Sequence, residues 1–122
     1  MLPEIDREFL TEKGIDFDVQ QSGADTYVLL RNYELPDCYV PLTCTLMLKL
    51  PPGYPASNPD MFWTTPGVRL KSGQSPVAAD VQEVYIGVSW QRWSRHNGDW
   101  RPGVDNLQTK LRSVQTELQR GK

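Results

Sequence analysis

At 122 residues, 39% of them hydrophobic and 23% charged, the chain is long enough for one domain over 1–122 and too short for a second with its own core. That balance excludes a disordered tail and a fibrous repeat, and the formal charge of -2 argues against a general nucleic-acid binder. The charge is uneven: residues 1–61 hold four Lys/Arg against ten Asp/Glu, and residues 62–122 hold nine against five, which marks either a face for an acidic partner or a solvated surface.

Leu2, Ile5 and Phe9 recur at helical spacing, Pro3 suits a first helical position, and acids crowd the first turns before Gly14. A short N-terminal helix ending near Lys13 is predicted. These opening residues lack the basic and apolar regions of a secretory signal, so a cytoplasmic chain is expected. The stretch 42–50 is broken by Thr43, Thr45 and Lys49 and falls far short of the roughly 20 apolar residues of a membrane helix. Alternation over Ile15-Asp16-Phe17-Asp18-Val19 predicts a first strand, the cluster Ser22-Gly23-Ala24-Asp25 a turn, and Tyr27 to Leu30 the returning strand. A third strand places Leu42, Cys44, Leu46, Leu48 and Leu50 on one face and Thr43, Thr45, Met47 and Lys49 on the other. Cys44 therefore reads as a buried thiol acting as a small hydrophobe.

The pattern stops at Pro51-Pro52-Gly53-Tyr54-Pro55, with Pro59 soon after, where missing amide protons exclude both helix interior and central strand. Met61-Phe62-Trp63 reads as a fourth short strand. A long loop then runs from Pro66 to about Val88, punctuated by Gly67, Gly73, Pro76 and Gly87, and loops of that length are uncommon without a function. Val104, Leu107, Leu111, Val114 and Leu118 step by three and four, the apolar stripe of a C-terminal helix packed on the sheet. The sum is an α+β domain: an N-terminal helix, a four-stranded antiparallel meander, a proline-rich crossing, a long loop and a C-terminal helix.

The residues of the crossing, Pro51-Pro52-Gly53-Tyr54-Pro55 with Pro59, Met61 and Phe62, resemble the Tyr-Pro-x-x-x-Pro signature of the ubiquitin-conjugating (UBC) superfamily. Trp100-Arg101-Pro102 looks like its Trp-x-Pro element. More narrowly, Leu50 to Trp63 with Trp90-Gln91-Arg92-Trp93-Ser94-Arg95-His96-Asn97 and Trp100-Arg101-Pro102-Gly103-Val104-Asp105 resembles the prokaryotic UBC-like family E. The resemblance implies a UBC-like fold and a place in a bacterial ubiquitin-like conjugation system, whose other members are a ubiquitin-like protein, an activating enzyme and a JAB-type metallopeptidase. In the superfamily at large a catalytic cysteine, preceded by His-Pro-Asn, stands ahead of Trp-x-Pro. Here neither is present, and Cys38 and Cys44 lie on the wrong side of the proline crossing.

Residues 90–100 pack three of the four tryptophans, Arg92, Arg95, Ser94 and the single histidine into one short segment. A conjugating enzyme needs a nucleophile, a base for its proton and donors for the oxyanion. Ser94, His96 and Asn97 supply those types, so an oxyester in place of a thioester is chemically allowed. The architectural reading of the same residues is that Ser94 caps a turn, His96 bonds a carbonyl and the tryptophans cover the sheet end. Tyr54, Pro55, Trp93, Trp100 and Pro102 read as scaffold around the site. Arg7 and Lys13 on the first helix resemble the surface that meets the activating enzyme, and Arg92 and Arg95 are further candidates for partner contact.

Three functions are therefore distinguished. The chain is a transferase that conjugates a ubiquitin-like protein through Ser94 and His96, or a UBC-fold adaptor that binds the ubiquitin-like protein or its activating enzyme without a covalent bond. The third is a single-strand nucleic-acid binder that stacks bases on tryptophans alternating with Arg92, Arg95 and Arg101. No metal or organic cofactor is implied, since one histidine and two distant cysteines make no ligand set.

Overall fold

The computed structural model describes residues 2–96 and 98–122. Helix α1 spans Glu4–Glu12, with Pro3 at its N-cap position and Glu4 and Asp6 facing the positive end of its dipole. It ends in a Schellman motif: Gly14, at φ 67°, donates to Thr11 O, and Ile15 N donates to Leu10 O. That closure captures Ile15, so strand β1 starts later than the alternation predicts and spans Phe17–Ser22. The buried face of α1 carries Asp6 and Leu10, while Ile5, predicted to lie on the apolar stripe, is 64% exposed. The stripe is rotated because the Asp6 carboxylate is taken into the interior, where it has two donors.

Strand β2 (Asp25–Glu34) pairs antiparallel with β1 and, on its other side, with β4 (Thr43–Leu50). Between Leu30 and Tyr33 its register shifts, and Asn32 sits at φ 51° in that bulge. Strand β3 (Tyr39–Val40) forms a small ribbon with β6 (Arg69–Leu70). Strand β5 (Phe62–Thr65) pairs with β4 and then with β8 (Val88–Trp93), which pairs with β7 (Val81–Tyr85). The main sheet is thus six-stranded and antiparallel in the order β1-β2-β4-β5-β8-β7.

This corrects two expectations. The meander does not stop at four strands, and the predicted loop from Pro66 to Val88 holds β6 and β7, with β8 beginning at its end. The β7–β8 hairpin closes through Ile86 and Gly87, at φ 47° and 75°, a two-residue turn whose positive φ values match strand twist. Trp90 and Trp93 are consequently strand residues, and the bend proper begins at Ser94.

Both helices lie against one face of the sheet. Helix α2 (Leu107–Gln119) opens with a capping box in which Asn106 and Thr109 exchange side-chain and backbone hydrogen bonds. Its buried stripe is Leu107, Leu111, Val114 and Leu118; Val104, predicted to begin it, precedes the cap and is 59% exposed. Across the interface lie Val28, Leu30, Cys44, Leu46, Leu48, Leu50, Phe62 and Trp93. Leu42, one residue before β4, is exposed, whereas Cys44 is in the core as expected, and burial pushes its thiol up to about 12. Met47, predicted to face outward, is fully buried in a second cluster with Tyr27, Leu29, Trp63 and Trp90 on the opposite sheet face. The added hairpin supplies Trp90 and Tyr85 to cover it.

Gln91 joins the sheet to the 66–80 connection. Its amide oxygen accepts from Thr64 Oγ1 (3.0 Å) and Val68 N (2.7 Å), and its amide nitrogen donates to the carbonyls of Val68 (3.0 Å) and Ala79 (2.9 Å). A buried side-chain amide with every hydrogen bond made is a strong positional constraint. It brings Ala78, at φ 58°, to the end of β8, where Ala78 O accepts from Ser94 N at 2.8 Å.

Candidate functional site

Two long-range hydrogen bonds bring the bend that begins at Ser94 against the proline crossing, and two more tie that crossing through Asp6 to the start of α2. Trp100 Nε1 donates to Pro55 O at 2.8 Å, and its ring centroid lies 6.3 Å from that of Tyr54. Tyr54 Oη donates to Asp6 Oδ2 at 2.6 Å, while Asp6 Oδ1 accepts from Leu107 N, the first turn of α2, at 3.2 Å. His96 Nδ1 lies 2.5 Å from Asp60 Oδ2. The bend, the Tyr–Pro corner and the N-terminus of α2 therefore form one locality. Burial and the Asp6 carboxylate together raise the Tyr54 phenol well above its ordinary range, so Tyr54 acts there as a neutral donor.

Within the bend, Ser94 is half-buried and its Oγ accepts from Arg92 Nε at 2.8 Å. Arg92 is itself held by Glu83, Nη1 to Oε2 at 3.1 Å. The hydroxyl therefore stands beside a guanidinium that is itself fixed by a carboxylate. Among the described residues Ser94 and His96 are not hydrogen-bonded to each other. Asn97, the third predicted catalytic residue, lies outside the described residues.

The His96 side chain is 66% exposed. A carboxylate only accepts, so the neutral imidazole carries its proton on Nδ1 and leaves Nε2 as an open lone pair. Asp60 is delivered by an irregular turn: its amide donates to Asn58 O at 3.0 Å, and the next residue, Met61, sits at φ 62°. A non-glycine residue there costs about 1–3 kcal/mol, while an exposed ion pair returns about 1 kcal/mol at most.

Behind Asp60 lies Lys110, 1% exposed, whose ammonium is brought down to about 8 by burial, with the Asp60 charge acting in the opposite direction. Lys110 lines a cavity of about 120 Å³ with Trp100, Asp99, Asp105, Thr109 and Ser113. Asp105 is engaged by Arg101, whose backbone amide and guanidinium both bond its carboxylate and hold it below the usual carboxylate range. Pro102 is exposed in the turn ahead of α2. Sequence reasoning singled out neither Asp60 nor Lys110. Lys110 was detectable, because it falls three residues after Leu107 and four before Val114, in phase with the buried stripe.

The remaining predicted residues lie elsewhere or are already occupied. Arg95 turns inward: its guanidinium donates to the carbonyls of Val77, Glu117 and Lys122 and lies 4.9 Å from the Trp93 ring centroid. Trp93 stacks on Phe62 at 5.2 Å and donates from Nε1 to Thr64 Oγ1. Arg7 lies over Phe17, and Lys13 borders a groove of about 780 Å³ between α1, β2 and the second half of α2. Trp90 and Trp93 are buried and Arg92 and Arg101 are paired with carboxylates, so neither of these two rings is open to stack a base, while Trp100 is half-buried.

A family model described as prokaryotic E2 family E matches residues 2–121. The chain belongs to prokaryotic E2 family E. Comparison with curated proteins and with solved structures returns no match. In this family-E chain neither cysteine belongs to the bend. Cys44 is sealed in the core, and Cys38 lies against Gly121, past the far end of α2. The 13 residues of α2 put that end about 20 Å from Leu107, and Arg95 reaches it through the carbonyls of Glu117 and Lys122. Among the described residues no helix is long and apolar enough to cross a membrane.

Proposed function

We propose that this family-E chain is the conjugating component of a bacterial ubiquitin-like pathway. In the cytoplasm it takes the carboxyl end of a ubiquitin-like protein from an activating enzyme, carries it on Ser94 and transfers it to an amine; α1, with Arg7 and Lys13, meets the activating enzyme. A JAB-type metallopeptidase is a further component of that pathway. One observation carries the reading: a hydroxyl beside a fixed guanidinium and a carboxylate-oriented imidazole share a bend tied to the Tyr–Pro corner.

In the charging step the Ser94 Oγ–acyl bond forms as the bond to the activating enzyme breaks. The hydroxyl proton passes through His96 to the departing group, so atoms and charge balance. Incubation with the activating enzyme, nucleotide and ubiquitin-like protein, followed by intact mass, tests it. The expected product is an adduct that resists thiol, is cleaved by hydroxylamine, and is lost in Ser94→Ala.

One observation favours the adaptor instead. The partner of Ser94 Oγ is Arg92, a donor that cannot take the hydroxyl proton. In that case Ser94→Ala and His96→Ala leave conjugation intact, and only changes on the docking face reduce it.

A further inference from the structure

His96 is the only imidazole in the chain, and the fold provides it with an acceptor from 36 residues away. Pro59 is buried just ahead of Asp60, Met61 takes a left-handed conformation just after it, and Phe62 then enters the core stacked on Trp93. Asp60 is thereby pinned from both sides in sequence. In space it lies between the exposed ring of His96 and the interior, where the Lys110 ammonium attracts it. The turn thus sets Asp60 between two cationic or proton-bearing groups, the buried Lys110 ammonium on one side and the Nδ1 edge of the exposed His96 ring on the other.

We propose that Asp60 is the positioning residue of this site: it locks His96 with Nδ1 protonated and Nε2 open, making Nε2 the acceptor for the proton of the attacking amine. The chemical half rests on the acyl-transfer reading above. The amine lone pair bonds to the acyl carbon, the bond from that carbon to Ser94 Oγ breaks, and the proton shed by nitrogen moves to Nε2 and then to Ser94 Oγ. An amide and a free hydroxyl result, and Asp60 balances the transient imidazolium.

The test has two arms on the full chain. Long-range proton–nitrogen spectra of the His96 ring need no partner. They are expected to show Nδ1 protonated in the wild type, and that signature to be lost in Asp60→Ala while circular dichroism stays native. In the transfer assay Asp60→Ala is expected to slow discharge to an amine by about 10²-fold. Asp60→Asn, which still accepts from Nδ1 but carries no charge, keeps the ring signature and loses rate. An unchanged ring spectrum in Asp60→Ala overturns the placement, and discharge at the wild-type rate overturns the chemical role. A wild-type chain that forms no adduct with a charged activating enzyme removes the acyl-transfer reading and the chemical half with it, while the ring spectrum still decides the placement.

Discussion

Asp6→Ala is expected to lower the unfolding free energy by about 4 kcal/mol, a large share of the 5–15 kcal/mol typical of a domain. Asp6 is 1% exposed and is the acceptor for both the Tyr54 hydroxyl and the Leu107 amide. Alanine leaves both donors unpaired, one of them in the first turn of α2, where no intrahelical acceptor exists. Orphaning a buried donor costs more than removing a complete pair, so Tyr54→Phe alone is expected to cost about 1 kcal/mol. The double variant should be less destabilised than the sum of the two, because phenylalanine removes the hydroxyl that alanine strands. Urea midpoints for the three proteins measure this. An Asp6→Ala midpoint no lower than that of Tyr54→Phe would show that Asp6 does not hold this corner together.

Lys110→Met is expected to act in the opposite direction, raising stability at pH 7 by about 3 kcal/mol. The folded ammonium titrates near 8 against 10.5 for the ordinary group, because burial penalises its charge. Below pH 8 the lysine is protonated in both states and the penalty is present in full. Between about 8 and 10.5 the unfolded chain binds the extra proton, so wild-type stability rises with pH and the advantage of methionine shrinks. Cys44 and Tyr33, both pushed up to about 12 by burial, work the other way once pH exceeds their ordinary values of 9.0 and 10.0. Their unfolded forms lose a proton first, and stability falls. The rising branch of the wild-type curve is therefore confined to about pH 8–9, and the difference between the proteins isolates Lys110 over the whole range. Asp60 loses an attractive neighbour in this variant but keeps contact with water, so little of the gain is offset. Denaturation at pH 7, 8.5 and 10 reads out the difference; a gap that stays constant with pH, or a less stable methionine protein at pH 7, contradicts this account.

What could be read from the chain alone was what short-range pattern encodes. The alternation through Cys44, Leu46, Leu48 and Leu50 places a strand face. The step from Leu107 to Leu118 places a helix face, and the prolines of 51–59 exclude both kinds of element. The motif residues around Tyr54 and Trp100 pointed to the family that the match over 2–121 establishes. The hairpin of β7 and β8 escaped because Val-Gln-Glu-Val-Tyr does not alternate, its residues are half-buried or exposed, and Ile-Gly is not a customary turn pair.

The chemistry of the bend depended on partners that no spacing reports. Two residues apart in sequence, Ser94 and His96 meet only if the loop bends or another element intervenes. The folded chain instead gives Ser94 to Arg92 and His96 to Asp60, 36 residues away, and it brings Asp6 to Leu107 across 101 residues. Periodicity says which way a side chain points from its own element, because rise and twist per residue are constant. Which polar groups meet is set by how the elements are stacked, and there a buried carboxylate or ammonium takes whatever partner the topology brings within reach.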